Sequence, residues 1–411
     1  LNIMGNDLGS PVYFASDEGI EQRYYDIASI GTDYYIAFSD NREFAFNVYI
    51  AKVNESGSLV WPEAIKVSDG LLADNIIRAI VPLENQNLIL LFESQSWMGI
   101  GVNAIMVDSD GQILTEEINI CPDCTDNVQY EDFALTSDGV VVTFKDSRGQ
   151  ASGVYAQKIS FSGELLNNQN SIVISDVQND QRNSAVTYNS ISDQILVCWN
   201  DARNESGAGL SEVDVVCSTF ENSDLTFDVE YQVSAIPGSP QQNPSVYTSL
   251  DGVYMIAWED MRYAAGIDQS ANLSVEWDAF YQEIDLNGNY SYEFDGIPLC
   301  VEPFGQVNVQ IDLLSEEDNT YLLTWEDDRS TGKALLTNIY AQSVSPQSSN
   351  CTAYDVSGDG NIDVLDVVQM VNIVLGSVDP TPSQECSGDI NEDGNLDVLD
   401  VVQTVNYILQ S

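Results

Sequence analysis

The sequence contains no histidine among its 411 residues, and it has only 13 lysines and arginines against 65 aspartates and glutamates. Without histidine the chain cannot form a Ser-His-Asp or Cys-His catalytic site or bind zinc through imidazole. The formal net charge of −52 opposes binding to nucleic acid and to anionic membrane surfaces. No run of eighteen apolar residues occurs, so we predict no membrane-spanning segment and no membrane insertion.

The remaining composition is that of a folded, secreted protein. Apolar residues make up 44% of the chain, which argues against disorder despite the charge. A chain of this length is expected to hold more than one domain. It begins at Leu1 without a signal peptide, and its seven cysteines suit an oxidising compartment. We therefore expect a mature protein that is secreted, extracellular or attached to the cell surface.

The cysteines suggest disulfides without fixing their connectivity. Cys121-Pro-Asp-Cys124 is compatible with a redox pair or with a small surface disulfide. Because no thioredoxin-like βαβ context surrounds it, we favour the structural disulfide. The other candidate pairs are Cys198 with Cys217 and Cys351 with Cys386, which leaves Cys300 over.

The last sixty residues carry the same acidic loop pattern twice, 34 residues apart. Each copy places oxygen-bearing side chains at loop positions 1, 3, 5, 9 and 12, with Gly at position 6 and an apolar residue at position 8. This spacing wraps the chain around Ca²⁺, which takes about six to eight oxygen ligands, and position 7 contributes its backbone carbonyl. The sequence predicts two Ca²⁺ ions held by Asp355, Ser357, Asp359, Asn361, Asp363 and Asp366, and by Asp389, Asn391, Asp393, Asn395, Asp397 and Asp400.

A helix is predicted after each loop, over 364–375 and 398–409, because apolar residues recur there at three- and four-residue spacings. Neither loop is preceded by the apolar helix that a full EF-hand requires. The loop-helix, linker, loop-helix order over Cys351 to Gln410 closely resembles the type I dockerin family. The resemblance implies a calcium-folded plug that inserts into a cohesin module of another protein. Where cellulosomal dockerins often carry a Ser-Thr pair and basic residues for partner recognition, this chain has apolar side chains: Val364, Leu365, Val371, Val398, Leu399 and Val405.

Residues 22–345 contain six copies of one unit, each anchored by an apolar strand that ends in aromatic-x-Asp-x-Arg. One copy, at Phe92, is degenerate. A motif repeated in every unit is usually architectural, with the Asp accepting hydrogen bonds from the turn while the Arg bridges to a carboxylate or carbonyl. The anchor aromatics are expected in the core between units. The five intact pairs are Asp40 with Arg42, Asp146 with Arg148, Asp201 with Arg203, Asp260 with Arg262, and Asp327 with Arg329.

Four short antiparallel strands per unit, at roughly fifty residues each, are the proportions of a β-propeller. We therefore predict a mainly β fold: a six-bladed propeller over residues 1–345, a linker over 346–350, and a small helical calcium-binding domain over 351–411. The sixth unit lacks a last strand after Gln342, and residues 11–16 resemble the strand that ends the first unit. We expect residues 11–16 to complete the sixth blade and close the ring.

Three functions are compatible with these features. The first is a non-catalytic extracellular assembly or adhesion module whose plug binds a cohesin-like partner. The second is a polysaccharide-active enzyme, a glycosidase or lyase, tethered by its dockerin. In the third, the apolar face packs on this protein's own propeller, or it binds a neighbouring copy of the same protein and builds a filament or surface array. Glycans are a further candidate ligand. The insertions over 204–212 and 263–277 are expected on one face of the ring, either as a binding surface or, as we favour, as decorated loops. We favour a non-catalytic role because no nucleophile motif or metal cluster is recognisable before the plug.

Overall fold

A computed structural model gives the architecture of the chain. It describes residues 20–70, 72–124, 127–148, 151–166, 170–204, 213–236, 239–263, 277–292, 295–302, 305–316, 319–327, 338–346, 353–354, 356–357, 362, 364–376, 380, 384, 387–391 and 396–409. These residues form antiparallel sheets followed by two helices. No described helix has the length and apolar character needed to cross a membrane.

Within each sheet, the strands lie side by side in the order in which they follow one another along the chain. The first sheet comprises β1 (Gln22–Ile30), β2 (Asp33–Glu43), β3 (Ala45–Asn54) and β4 (Ile65–Lys66). The second comprises β5 (Asp74–Pro82), β6 (Leu88–Ser96), β7 (Gly99–Val107) and β8 (Ile118–Asn119). The third comprises β9 (Gln129–Leu135), β10 (Gly139–Asp146), β11 (Gly153–Ser160) and β12 (Ile172–Ser175).

The next two sheets repeat this plan, and the sixth is one strand shorter within the described residues. The fourth comprises β13 (Gln181–Asn189), β14 (Gln194–Asp201), β15 (Asp214–Glu221) and β16 (Phe227–Ser234). The fifth comprises β17 (Gln241–Thr248), β18 (Tyr254–Asp260), β19 (Asp278–Ile284) and β20 (Ile297–Cys300). The sixth comprises β21 (Gln306–Ser315), β22 (Thr320–Asp327) and β23 (Asn338–Val344).

Consecutive sheets pack face to face through apolar cores. The first strands of neighbouring sheets are in contact: β1 with β5, β9 with β13, β13 with β17 and β17 with β21. Five clusters of buried side chains each join one sheet to the next, from the first sheet through to the sixth. The anchor aromatics of the repeated motif all lie in the second strand of their sheets and are buried there: Phe38, Phe92, Phe144, Trp199, Trp258 and Trp325.

A β-bulge recurs in the first strand of the sheets. In the last three sheets it contains an asparagine in the left-handed region: Asn183 (φ 52°), Asn243 (φ 54°) and Asn308 (φ 54°). Asparagine tolerates this conformation better than most residues. The bulge turns side chains and backbone amides of the first strand toward the neighbouring sheet.

The C-terminal part contains α1 (Val364–Val374) and α2 (Val398–Ile408), which pack against each other. Both end one residue before the predicted boundary. The mainly β fold and the two C-terminal helices are thus confirmed. Residues 11–16, predicted to complete the sixth sheet, lie outside the described residues, so closure of a ring stays a prediction.

Candidate calcium and partner-binding site

The second loop runs directly into α2 through a capping box. Asp397 has an extended backbone (φ −133°, ψ −169°), and its Oδ1 accepts a hydrogen bond from the Leu399 N–H at 2.7 Å. In return, Asp400 Oδ2 accepts from the Asp397 N–H at 2.8 Å. These bonds satisfy amides that a helix start otherwise leaves unpaired, and the carboxylates suit the positive end of the helix dipole. Two predicted metal ligands, at loop positions 9 and 12, therefore also fix the start of the helix.

The aspartate at position 12 ties the two ends of each loop together. Asp366 Oδ1 accepts from the Ser357 N–H at 2.8 Å. Its counterpart Asp400 accepts through Oδ1 from the N–H groups of Ile390 and Asn391, at 3.0 and 3.2 Å. Both carboxylates are completely buried. The two loops thus share one mode of closure at equivalent positions.

Half of the predicted calcium ligands fall within the described residues: Ser357, Asp366, Asp389, Asn391, Asp397 and Asp400. The other half lie outside them: Asp355, Asp359, Asn361, Asp363, Asp393 and Asn395. The described set consists of hard oxygen donors, which suits Ca²⁺. Residues 351–411 contain no lysine, arginine or histidine, so no basic side chain of this segment can neutralise the buried Asp366 and Asp400. Because a buried carboxylate has to be balanced by a cation, the donor set and its burial fit calcium at both loops.

The two loop-helix halves meet around Gly388. A Cβ atom at this position would lie 2.4 Å from a Leu396 methyl carbon and 3.5 Å from Val356, so only glycine fits without displacing them. The Tyr354 N–H donates to the Ser387 carbonyl oxygen at 2.9 Å, which joins the start of the first half to the second. Met370 of α1 and Thr404 of α2 occupy equivalent positions and are fully buried. The halves therefore pack as one unit with approximate internal symmetry.

Equivalent residues of α1 and α2 are exposed to nearly the same extent. Val364 and Val398 are 65% and 61% exposed, and Val368 and Val402 are 51% and 52% exposed. The predicted partner-binding residues Val364, Leu365, Val371, Val398, Leu399 and Val405 all belong to this exposed set. The prediction missed Val368, Leu375, Val402 and Leu409, which are also exposed. Val368 and Val402 follow Val364 and Val398 by four residues, and Leu375 and Leu409 follow Val371 and Val405 by four. This spacing places them on the same helix face and was available in the sequence.

The aspartates of the Asp-x-Arg pairs lie at or near the end of the second strand of their sheets and are buried. Arg42 binds Asp40 in a bidentate manner, with Nε–Oδ1 at 3.0 Å and Nη2–Oδ2 at 2.8 Å. Arg203 bridges Asp201 to Glu230 of β16, and Arg262 bridges Asp260 to the Asp295 carbonyl. Arg148 likewise pairs with Asp146. In the sixth sheet the Trp325 Nε1–H of the motif donates to Asp327 at 3.3 Å. Arg329 lies outside the described residues.

The residue between the aromatic and the aspartate of the motif makes a contact that the sequence analysis did not identify. Its side chain accepts a hydrogen bond from a backbone N–H in the first strand of the next sheet. The described bonds are Ser39 with Ile77 (2.9 Å), Glu93 with Tyr130 (2.9 Å), Asn200 with Asn243 (2.8 Å) and Glu259 with Asn308 (2.8 Å). These bonds fix the spacing of neighbouring sheets, and the bulges expose the amides that they use. The only signal in the sequence was that this position is polar in all six copies.

A cavity of about 560 Å³ is lined by the first strands of the third to sixth sheets. Its wall includes Glu131, Asp132, Thr187, Thr248 and Gln310. Burial raises the pKa of Asp132 to about 7, although hydrogen bonds from the Val186 and Phe133 N–H groups act in the opposite direction. Burial likewise raises the pKa of Glu131, which accepts from Asn183 N–H at 2.7 Å and Ser184 N–H at 2.9 Å. The cavity therefore combines two carboxyl groups whose pKa values are raised with neutral hydrogen-bonding side chains.

Among the residues that the structure describes, the disulfides are Cys121–Cys124 and Cys198–Cys217. The second joins paired strands β14 and β15. Cys300 is buried, with its sulfur 3.9 Å from an Asp327 carboxylate oxygen. Cys351 and Cys386 lie outside the described residues, as do most of the residues of the insertions over 204–212 and 263–277.

Comparison with known proteins identifies the C-terminal segment: residues 353–409 match the family model described as Dockerin type I domain. No curated protein matches the chain significantly. Similar solved structures include a protein of unknown function from Dyadobacter fermentans DSM 18053, with a TM-score of 0.46, 8% identity, and coverage of 81% of this chain and 96% of that chain. Another is an alpha-L-arabinanase from Penicillium chrysogenum, with a TM-score of 0.44, 10% identity, and coverage of 68% and 87%. Similarity at this level carries no argument about activity.

Proposed function

We propose that this protein is a non-catalytic, secreted assembly module: a rigid β-propeller carrying a calcium-dependent dockerin segment that binds a cohesin-like partner. The observation that carries the proposal is the matching apolar face of α1 and α2, in a segment that matches the type I dockerin family. Type I dockerin domains in general bind calcium and cohesins. Two Ca²⁺ ions, one per loop, would balance the buried Asp366 and Asp400 carboxylates.

The propeller part of the proposal is supported by the way the six sheets pack. A ring of sheets requires each sheet to bury both faces against its neighbours, with the first strands around a central axis. The five inter-sheet cores and the contacts of β1 with β5, β9 with β13, β13 with β17 and β17 with β21 support this arrangement. In our proposal residues 11–16 complete the sixth, three-stranded sheet and close the ring. Such a body would serve as a stiff spacer rather than a flexible tether.

The apolar helix face is the proposed partner surface. It consists of Val364, Leu365, Val368, Val371 and Leu375 of the first half, with Val398, Leu399, Val402, Val405 and Leu409 of the second. Soluble domains seldom expose so many large apolar side chains together unless the surface binds something. The strongly acidic remainder of the protein would repel a second acidic protein, so a partner with an apolar surface and a neutral or basic rim fits best.

The test is binding to a panel of cohesin modules, with and without Ca²⁺, together with the molar mass of the protein in solution. We expect calcium-dependent capture by at least one cohesin. Because the two helices present equivalent faces, Val368→Asp and Val402→Asp are combined in one variant, which should weaken binding about tenfold or more. Leu72→Asp, at an exposed leucine in the sheet region, is the matched control and should bind normally. Binding that is unaffected by the double variant would contradict the proposed surface.

A second copy of the same chain is the alternative partner. If Ca²⁺ raises the molar mass of the purified protein, and the double variant stays monomeric, the surface is used for self-assembly. A monomer under all conditions, together with binding to a cohesin, would favour the foreign partner. The two outcomes lead to different architectures, since head-to-tail contacts between identical chains produce rings or open filaments.

A second candidate function is a polysaccharide-active enzyme with its site in the cavity between the first strands. Asp132 and Glu131 are adjacent in sequence and both line the cavity, and the pKa of Asp132 is raised to about 7. This arrangement is the observation that favours an enzyme. A carboxylic acid that remains protonated near neutrality is suited to general-acid catalysis of glycoside hydrolysis. Turnover of any polysaccharide in a panel, abolished by Asp132→Asn or Glu131→Gln, would support this function. Activity that survives both substitutions would exclude these carboxyl groups.

A further inference from the structure

The Cys121–Cys124 disulfide is positioned against a guanidinium group. It lies in the connection between β8 and β9, where the chain crosses from the second sheet to the third. Arg148 Nη2 is 2.9 Å from Cys121 Sγ and 2.6 Å from Cys124 Sγ. Cys121 is buried, Cys124 is half-buried, and Pro122 between them is exposed. Cys124 is therefore the less buried of the two cysteines, while both sulfurs contact the same cationic group.

Other contacts hold this guanidinium in place. Its Nε donates to Asp146, its Nη1 lies 2.6 Å from Asp123 Oδ2, and its carbon atom lies 4.2 Å from the centre of the Tyr155 ring. Asp123 is fixed in turn by Ser171, whose N–H and hydroxyl donate to it. Arg148 is thus confined by three neighbours, and only Nη2 is directed at the sulfurs. In the fourth and fifth sheets the corresponding arginines contact a glutamate or a carbonyl instead.

We propose that Cys121–Cys124 is a redox-exchangeable site that reacts with dithiols, and that Arg148 stabilises the thiolate released from it. An incoming thiolate attacks Sγ of Cys124, the less buried of the two cysteines. The S–S bond breaks and its electron pair moves to Cys121 Sγ, which leaves as a thiolate beside Nη2. A better-stabilised leaving thiolate makes this exchange faster.

The second half of the reaction completes the electron balance. The second thiol of the dithiol, as its thiolate, attacks the dithiol sulfur that is bonded to Cys124 in the mixed disulfide. The bond to Cys124 breaks, and Cys124 is released as a second thiolate. The dithiol is oxidised to a disulfide and the protein disulfide is reduced. The two protons lost by the dithiol are available to the two protein thiols. No further oxidant or reductant is needed.

The charges around the site have opposing effects on the thiolates. Asp123 Oδ1 lies 3.4 Å from Cys121 Sγ and opposes a negative charge there, and Asp146 is also close to Arg148. Both carboxylates pair with Arg148, Asp146 through Nε and Asp123 through Nη1. The Asp176 carboxylate interacts electrostatically with Tyr155. Direct donation from Nη2 at less than 3 Å acts on the sulfurs themselves, and charge-assisted hydrogen bonds are about twice as strong as neutral ones. We therefore expect Arg148 to determine the net effect.

The chain provides its own controls for the test. Cys198–Cys217 is completely buried and serves as an internal reference disulfide. Arg262 occupies the same motif position in the fifth sheet and donates to Asp260, Ser234 and the Asp295 carbonyl rather than to a disulfide, so Arg262→Gln controls for damage to the motif. Folded protein in calcium is treated with dithiothreitol, free thiols are alkylated at timed intervals, and each pair is quantified by mass spectrometry. The far-ultraviolet spectrum and melting temperature of each variant establish that it is folded.

We expect Cys121–Cys124 to be reduced at least about tenfold faster than Cys198–Cys217, and Arg148→Gln to slow it by about tenfold, because the leaving thiolate loses its hydrogen-bond donor. Arg262→Gln should leave the rate unchanged. A second measurement needs no variant: alkylation of the reduced pair against pH should show ionisation well below the ordinary thiol pKa of about 8.5. Equal rates for the two disulfides, or ionisation at or above the ordinary pKa, would overturn the proposal.

Discussion

Tyr354 and Tyr407 stack face to face, with ring centroids 4.3 Å apart and planes 11° from parallel. Tyr354 lies just before the first calcium loop and Tyr407 lies in the last turn of α2, so the stack joins the two ends of the dockerin segment. Tyr354 adopts a left-handed backbone (φ 79°), which is uncommon for a bulky residue. A strained backbone of this kind persists only where the surrounding contacts maintain it. The stack and the Tyr354–Ser387 hydrogen bond are such contacts.

Replacing Tyr407 by alanine should loosen this closure. Ring pairs of this kind contribute roughly 0.5–1.5 kcal/mol beyond the area that they bury. We therefore expect Tyr407→Ala to lower the melting temperature of the calcium-loaded segment and its calcium affinity, as measured by calorimetry. Tyr407→Phe, which keeps the ring, is the control and should behave like the parent protein. Equal destabilisation by both variants would assign the effect to the hydroxyl rather than to the stack.

Removal of calcium should unfold the helices and leave the sheets intact. Asp366 and Asp400 are buried carboxylates in a segment without basic residues, so their charges destabilise the folded state once the cations leave. Circular dichroism during titration with a chelator should show loss of the helical signal and retention of the β signal. A helical signal that persists in excess chelator would contradict calcium-dependent folding.

Asp400→Asn separates the two roles of the position-12 aspartate. Asparagine retains an oxygen that can accept from the Ile390 and Asn391 N–H groups, but it removes the charge that the cation requires. We expect calorimetry to show loss of one tight calcium site in this variant, with the site that contains Asp366 retained. Asp389 and Asn391 belong to the affected loop, so they cannot compensate. Two sites of unchanged affinity would exclude Asp400 as a ligand.

The contact between Glu93 and the next sheet should contribute more to the free energy of unfolding than a surface interaction does. Glu93 is almost fully buried, and it accepts from the Tyr130 N–H while pairing with Arg78 at 2.6 Å. Arg78 is 32% exposed, so its ion pair with Glu93 contributes little, but an amide left without its buried acceptor typically costs about 1–3 kcal/mol. Glu93→Ala should therefore lower the free energy of unfolding of the sheet region by this order, as measured in denaturant. Lys145→Ala, at the same motif position in the third sheet, should have a small effect because an ammonium group cannot accept a hydrogen bond.

Repetition explains how much of the fold was predictable from the sequence. The aromatic-x-Asp-x-Arg motif marks the second strand of each sheet, and counting it gave the number of sheets. The calcium-loop pattern likewise gave the start of each helix, since Asp397 is both a loop residue and the cap of α2. Features that recur at fixed spacing can be recognised without any knowledge of long-range contacts.

The unpredicted contacts depend on which residues become neighbours in space. The position before the motif aspartate holds Ser39, Glu93, Lys145, Asn200 and Glu259 in the first five units, and these share no chemistry beyond polarity. Only the packing of the next sheet reveals that four of them accept a backbone hydrogen bond. The contact between Arg148 and two sulfurs was hidden for the same reason, because the cysteines belong to a different unit.

Thr404 offers a test of the internal symmetry of the dockerin segment. Its side chain is fully buried and its hydroxyl has no hydrogen-bond partner among the described residues, whereas the equivalent residue of α1 is Met370. An unsatisfied buried hydroxyl costs about 1–3 kcal/mol. Thr404→Val keeps the shape and removes the polar group, so it should raise the melting temperature of the calcium-loaded segment. Thr404→Ser, which keeps the hydroxyl and removes a methyl group, should lower it; a stabilised serine variant would contradict the assignment.

Asp132 should make the stability of the sheet region fall as the pH rises. Burial raises its pKa in the folded protein to about 7, whereas an unfolded aspartate titrates near 3.9, so the folded state binds the proton more tightly. The resulting stabilisation is complete below about pH 4 and is lost as the pH rises to about 7. Asp132→Asn removes this dependence while keeping an acceptor for the Val186 N–H. The difference in unfolding free energy between the parent and this variant should therefore change between pH 4 and 7 and level off above; a constant difference would show that Asp132 titrates at its ordinary pKa.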